Sequence, residues 1–216
     1  ADMETALEEA TPIIHPDLGD NLCFQREVDI GEVDKAFAEA HCVVEETFNF
    51  GRHTGVCLEA RAILADYNPA DKHLTVYLSA QAPHMMKNLY AKHFGLNEDK
   101  IRVICKDVGG SFGMKGVLYP EVPLVAWASK RIGRPVRWTC ERSEAMVADD
   151  QARDMVIAGE IALDRDGRFL AVRLSSSHNL GAYVSMTGFV STWLIPATAC
   201  GPYRTPAVHG RAAGVL

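Results

Sequence analysis

The chain has 216 residues and a formal net charge of −6, with 48% hydrophobic and 23% charged residues. This composition allows one large domain or two small ones, each with a hydrophobic core. The acidic balance and the scattered basic residues exclude the basic surface that nucleic-acid-binding proteins carry. No window reaches the roughly 18 apolar residues that a membrane-spanning helix needs. Neither nucleic acid nor a membrane is therefore an expected partner.

The amino-terminal stretch and the cysteines indicate a reducing compartment. Residues 1–26 are acidic and contain prolines, lack the basic and apolar regions of a signal peptide, and are predicted to form a linker or extended segment. The six cysteines are widely separated and include no C-x-x-C pair. This spacing argues against a disulfide framework and against a metal site made of cysteines. We therefore expect a cytoplasmic protein with free thiols.

The first part of the chain after this segment mixes helix and strand patterns. Helical spacing of apolar residues predicts a short helix over 32–40. A proline at the start and Gly95 at the end predict a second helix over 83–96. β-branched and aromatic residues bounded by turn residues mark the strands. These strands are predicted over 42–51, 60–68, 73–80 and 97–105.

Strands dominate the later part of the chain. A strongly apolar helix is predicted over 122–133, followed by a strand over 134–140. Two strands, 153–164 and 168–181, flank the residues R-D-G and predict a hairpin. A last strand is expected in the carboxyl-terminal AVHGRAAGVL. These elements predict an α+β fold, a mixed β-sheet with helices packed on it.

The glycine-rich stretch DVGGSFGMK (107–115) lies between a predicted strand and a predicted helix. Its spacing matches neither the phosphate-binding loop G-x-x-x-x-G-K-[ST] nor G-x-G-x-x-G. Taken locally, it predicts a tight turn in which glycines adopt positive φ and Phe112 fills the core. A phosphate or nucleotide site, suggested by Lys115, is the weaker alternative.

Three further polar residues are candidates for a functional or structural role. Gln81 in SAQAPH follows a predicted strand, where ligand-facing groups tend to collect, although a surface or capping role is the simpler explanation. Glu59 and Glu121 have apolar sequence neighbours. If buried, each carboxylate needs a partner or a raised pKa.

Nine short motifs, taken together and in their order along the chain, indicate a family more clearly than any one of these signals does alone. The motifs are HTGVCLEARAILADYNP, SAQAPH, DVGGSFGMKG, YPE, GRPVRWT, ERSE, GEIALDRDGRFLAVR, HNLGAY and GPYRTPAV. Together they resemble the molybdenum hydroxylases, the family of xanthine dehydrogenase, aldehyde oxidase and the carbon monoxide dehydrogenase large subunit. The resemblance implies a molybdopterin-binding-domain-like fold in which residues 27–216 form the first molybdopterin-binding domain, truncated at its carboxyl-terminal end.

The resemblance also implies roles for particular residues. Gln81 is expected to approach the apical oxo ligand of molybdenum, and Phe112 to lie beside the metal. Backbone amides of Gly110, Ser111 and Gly113 are expected to contact the cofactor, since glycines let main chain approach closely. The metal itself is held by the pterin, so no protein ligand is expected. Structural roles are implied for the two glutamates, with a carboxylate anchoring backbone N–H groups beside the glycine-rich turn.

The implied activity is that of an oxidoreductase which hydroxylates an aldehyde or N-heterocycle with oxygen derived from water. Its cofactors would be molybdenum with molybdopterin, in the plain or the cytosine dinucleotide form, and 2Fe-2S clusters and FAD on other domains or subunits. The partners would be the remainder of the molybdopterin subunit, the iron–sulfur and flavin subunits or domains, and a small-molecule substrate.

Several departures from the family pattern limit this interpretation. Ser111 and Met114 replace glycines of the family loop, and Gly116 stands where xanthine-oxidising members carry a glutamate, which argues against xanthine as substrate. The general base of the family lies beyond Leu216, so the isolated chain is expected to be inactive. The alternative from another class is a non-catalytic fragment or half-domain that needs partner chains to bind cofactor.

Overall fold

Helices and strands are mixed along the chain, of which the computed structural model describes residues 3 and 5–216. Residues 1, 2 and 4 belong to the predicted linker and lie outside the described residues. The strands are β1 (Leu22–Ile30), β2 (Cys42–Phe50), β3 (Ala62–Asn68), β4 (His73–Leu78), β5 (Ile101–Ile104), β6 (Val136–Thr139), β7 (Met155–Leu163), β8 (Phe169–Asn179) and β9 (Ala207–Val215). The helices are α1 (Val33–Ala38), α2 (Pro83–Phe94), α3 (Glu121–Ile132), α4 (Arg142–Ala148) and α5 (Val190–Leu194).

The predicted α+β class is confirmed, with the strands divided between two mixed sheets. Helices α2 and α3 end at Gly95 and Gly133, which adopt the left-handed conformation that favours glycine. Sequence patterns missed β1, α4 and α5. The start of α4 carries a capping box, in which Glu141 and Glu144 exchange side-chain-to-backbone bonds, and this spacing was the available signal.

The chain forms two compact units, one inserted in the sequence of the other. The first unit comprises the residues up to 53 together with 152–216. Its five-stranded sheet has the order β1-β9-β8-β7-β2, in which β8 and β9 are parallel and the other pairs antiparallel. Helix α1 packs on this sheet through a small buried cluster that includes Val33, Ala162 and Ala171.

The second unit, residues 54–151, contains a four-stranded sheet of order β5-β4-β3-β6. Apolar residues at every second position of β3 and β4 form its core, together with residues of α2 and α3. Strands β4 and β5 are parallel and are joined by α2, which is a β-α-β crossover. The ends of β4 and β5 therefore lie side by side at one edge of this sheet.

Candidate functional site

The candidate site lies at the carboxyl ends of β4 and β5 in the second unit. Gln81 follows the end of β4, and the glycine-rich loop 107–116 follows the end of β5. Strand β3 is antiparallel to β4, so Glu59, which precedes β3, reaches the same edge. Ligands of α/β sheets collect at the carboxyl ends of parallel strands, where neighbouring loops diverge. The fold thus brings together three groups that are far apart in sequence.

The glycine-rich loop has a contorted backbone. Gly110 and Gly113 both have φ of 96°, and Phe112 between them has φ of 52°. Positive φ is uncommon for a residue with a large side chain. The side chain of Phe112 is 78% exposed, so the expectation that it fills the core is wrong. The loop presents this ring to solvent, and the predicted positive φ is confirmed for Gly110 and Gly113 but not for Gly109.

Gln81 is tied to the loop through its amide oxygen. Oε1 accepts a 3.2 Å hydrogen bond from Gly113 N–H and a further bond from the hydroxyl of Ser111. Because a backbone N–H can only donate, the atom that faces Gly113 must be the oxygen of the amide. The Nε2 group then has no hydrogen-bond partner among the residues that the structure describes, and the side chain is exposed. The exposed side chain of Gln81 therefore holds a neutral N–H donor beside the loop.

Two glycines make room for this arrangement. A Cβ built on Gly116 would lie 3.2 Å from Cδ and from Nε2 of Gln81, and one on Gly110 would lie 3.0 Å from Cε2 of Phe112. Either atom would displace its neighbour by a few tenths of an ångström. A Cβ on Gly113, in contrast, would meet no atom of the described residues within 4 Å. The backbone beside the N–H of Gly113 is thus open on that side.

Glu59 anchors the loop through hydrogen bonds to one of its carboxylate oxygens. Its Oε2 accepts hydrogen bonds from Gly109 N–H at 2.9 Å, from Ser79 Oγ at 2.7 Å and from Lys115 Nζ at 2.8 Å. Burial acts to raise the pKa of Glu59, but the bonds from Lys115, Ser79 and Gly109 outweigh it and hold that pKa below its usual value. The prediction that a carboxylate anchors backbone N–H groups beside the turn is confirmed. The role of Lys115 as its partner was missed.

A second buried cluster surrounds Arg61, two residues further along. Its Nε lies 2.6 Å from Asp149 Oδ1 and its Nη1 2.5 Å from Glu121 Oε1. The guanidinium also stacks on the ring of Tyr119, 3.6 Å from the centroid. Burial raises the pKa of Tyr119 to about 12, and its hydroxyl accepts a bond from Asp150 N–H. Glu121 is thus a partner in a structural cluster, as predicted, whereas Arg61 and Asp149 were missed.

Arg142, at the start of α4, holds the segment that precedes Glu59. Its guanidinium donates to the carbonyls of Cys57 at 2.7 Å and Leu58 at 2.5 Å. The buried thiol of Cys57 in turn lies 3.4 Å from the carbonyl of Ser111. The segment before Glu59 is therefore fixed against the glycine-rich loop.

Comparison with known proteins assigns this arrangement to a family. The family model described as molybdopterin cofactor-binding domain matches residues 14–216. The chain belongs to this family. The resemblance to the molybdenum hydroxylases drawn from the nine motifs is thereby confirmed.

Individual relatives of this molybdopterin-binding domain agree with the match. The gamma subunit of the 6-hydroxypseudooxynicotine dehydrogenase complex of Paenarthrobacter nicotinovorans is 37% identical over 177 residues, 82% of this chain and 22% of that protein. Quinoline 2-oxidoreductase from Pseudomonas putida 86 superimposes with a TM-score of 0.90 and 31% identity, covering 98% of this chain and 27% of its own. CO dehydrogenase from Oligotropha carboxidovorans superimposes with a TM-score of 0.89 and 28% identity, and the match covers 100% of this chain and 28% of the CO dehydrogenase chain. The chain spans about a quarter of the length of these proteins.

Among the described residues, no helix combines the length and the apolar character needed to cross a bilayer.

Proposed function

We propose that residues 27–216 form the first molybdopterin-binding domain of the large subunit of a cytoplasmic oxidoreductase, which hydroxylates an N-heterocycle or an aldehyde with oxygen derived from water. The observation that carries this proposal is the amide of Gln81, whose Oε1 is held by Gly113 N–H and whose Nε2 has no hydrogen-bond partner among the described residues. The names of similar proteins support the N-heterocycle as substrate. One is the nicotine 6-hydroxylase large subunit of Paenarthrobacter nicotinovorans and another is quinoline 2-oxidoreductase, and both nicotine and quinoline are nitrogen heterocycles.

The residues present fit a molybdenum–pterin group. Gln81 offers a neutral N–H donor without a hydrogen-bond partner among the described residues, and the backbone at Gly113 is open where a Cβ would stand. Neutral donors suit the partially negative oxygen-rich face of such a cofactor without adding charge to the metal. When bound, the group would supply the two-electron redox chemistry of the reaction.

The chain's own residues would orient and enclose this group. Gln81 would donate from Nε2 to the cofactor, while the Gly110–Gly113 backbone, including Ser111, would border it. The exposed ring of Phe112 would limit access of water and substrate to the metal side. The cofactor would be molybdopterin or its cytosine dinucleotide form. The 2Fe-2S clusters and FAD would lie on other domains or subunits, which are the proposed partners together with the remainder of the large subunit.

The phosphate-site alternative loses its main support in the structure. The side chain of Lys115 is 0% exposed, and its Nζ is committed to Glu59. A phosphate cradle needs a lysine that reaches its ligand.

The test is Gln81→Ala in the full-length complex. We expect turnover with an aldehyde and N-heterocycle panel to fall by about ten- to hundredfold, because an orienting donor beside the cofactor is lost. Gln151→Ala is the matched control, since Gln151 is also an exposed glutamine of the second unit. Molybdenum content, measured by metal analysis, should stay equal in both variants. Unchanged turnover in Gln81→Ala would contradict the role of Gln81 and favour a non-catalytic half-domain.

A further inference from the structure

Lys115 is the most deeply buried charged side chain beside the proposed site. Its side chain is 0% exposed, whereas that of its partner Glu59 is 40% exposed. Taking an ammonium group out of water is costly unless it is paired and hydrogen-bonded. An apolar side chain of similar length would avoid this cost. The buried charge therefore calls for an explanation other than packing.

The contacts of Lys115 converge on Gln81 from two directions. The backbone carbonyl of Lys115 accepts a 3.2 Å bond from the backbone N–H of Gln81. Its backbone N–H donates at 3.2 Å to Ser111 Oγ, which itself donates to Oε1 of Gln81. One residue thus holds both the main chain of Gln81 and, through Ser111, its amide group.

The ammonium group extends this connection to the other end of the loop. It bonds the same oxygen of Glu59 that accepts Gly109 N–H, and the carbonyl of Gly109 accepts the N–H of Glu59 at 3.1 Å. Gly109 also packs closely against Glu59, because a Cβ built on this glycine would lie 2.6 Å from Cβ of Glu59. The pair therefore fixes residues 109 and 115, which are the two ends of the segment that carries Ser111 and Gly113.

From these contacts we infer that Lys115 is a positioning residue, which uses its buried ion pair with Glu59 to hold the loop so that Nε2 of Gln81 faces the cofactor. The inference rests on the proposed function of this site. Charge-assisted hydrogen bonds are shorter and stronger than neutral ones, which suits a contact that must keep a strained loop in one conformation.

The experiment compares Lys115→Met with Lys92→Met in the full-length complex. Methionine keeps the length and burial of the lysine stem but removes its charge, and Lys92 is an exposed lysine of α2. Hydrogen–deuterium exchange should show amides of residues 109–113 exchanging at least about tenfold faster in Lys115→Met, with α3 unchanged. The electron paramagnetic resonance spectrum of the partly reduced metal should change, and kcat should fall more than KM changes. Lys92→Met should match the wild type in all three.

Glu59→Gln provides a second route should Lys115→Met fail to fold. It retains an oxygen for Gly109 N–H and Ser79 but removes the negative partner of Lys115. We expect the same regional increase in exchange and the same spectral change, in smaller measure. In the double variant Lys115→Met/Glu59→Gln, the effects on exchange should be less than additive, because both single changes break one contact.

The outcomes separate this inference from the proposed function. If Gln81→Ala alters the resonance spectrum while Lys115→Met and Glu59→Gln leave both spectrum and exchange unchanged, Lys115 is no positioning residue, although the site stands. If Gln81→Ala itself leaves spectrum and turnover unchanged, the proposed function fails. A loss of thermal stability without regional exchange or spectral change would identify the pair as structural only and overturn the inference.

Discussion

The two units of the chain bury polar groups of different kinds. Among the described residues, the buried polar side chains of the first unit are uncharged; they are Asn21, Ser176, Thr192 and His178. In the second unit, buried polar side chains include the charged residues Arg61, Lys115 and Asp149. His178 shows how the first unit avoids charge, since burial lowers its pKa to about 4. Buried charge is thus concentrated in the unit that carries the glycine-rich loop.

This difference follows from what each unit has to hold in place. The first unit is built from long paired strands, whose backbone bonds fix them without side-chain charges. The second unit must hold irregular segments at one edge of a sheet, where backbone pairing ends. Ion pairs with several hydrogen bonds can fix such segments, although they add less stability than apolar packing. The buried ion pairs of the second unit therefore fix the conformation of these irregular segments.

The largest effect is expected from breaking the Arg61 cluster. Arg61→Met leaves Asp149 buried without its cation and removes the partner of Glu121, which should lower the free energy of unfolding by about 3–5 kcal/mol. Urea denaturation monitored by intrinsic fluorescence measures this change. Arg137→Met, at an exposed position of β6, is the control and should stay within about 0.5 kcal/mol. A loss below about 1 kcal/mol for Arg61→Met would show that this buried charge does not hold the unit together.

A pH series tests the uncharged character of the first unit. The pKa of His178 is lowered from 6.5 to about 4, so its contribution to stability is complete above pH 6.5 and is lost as the pH falls toward 4. Between pH 7 and pH 4.5, the wild type should lose about 2–3 kcal/mol more than His178→Gln, which cannot take up a proton. Unfolding free energies of both proteins at both pH values give this difference. Equal losses would mean that His178 becomes charged in the folded state.

The smallest effect concerns the exposed aromatic between the two loop glycines. Phe112→Gly relieves a positive φ and loses little buried area, so the free energy of unfolding should rise by up to about 1 kcal/mol. The proposed function predicts that turnover falls in the same variant, because the ring beside the cofactor is lost. Denaturation and activity of the same variant in the full-length complex measure both. A destabilisation above about 1 kcal/mol would assign Phe112 to packing after all.

Part of the site was accessible from the sequence because its signals are local. The glycine-rich stretch predicted positive φ, which Gly110 and Gly113 adopt, and the predicted strands placed Gln81 and the loop each after the end of a strand. The expectation that a carboxylate beside the turn anchors backbone N–H groups came from the need of such a group for partners.

The remaining contacts were not accessible because they depend on distant pairs. Lys115 meets its carboxylate across 56 positions, and Arg61 meets Asp149 across 88. Neither pairing leaves a periodic or turn signal in the sequence, since only the three-dimensional path of the chain decides which charges meet. Phe112 was misplaced in the local interpretation for a related reason: apolar character favours burial on average, but a functional loop can present an aromatic ring to solvent.

The strand order of the first unit has a consequence for synthesis on the ribosome. In the described sheet, β1 pairs with β9 and β2 pairs with β7, so β1 and β2 are translated before residues 54–151, whereas their partners are translated after them. The second unit is continuous and can fold as soon as it emerges. Pairing of β1 and β2 therefore waits until residues 152–216 have been translated. Even in the finished sheet β2 is an edge strand, and it leaves Val44, Phe48 and Phe50 exposed. An unpaired strand with such side chains is a template for association with other chains, so the interval before pairing is a point at which this chain is prone to aggregate.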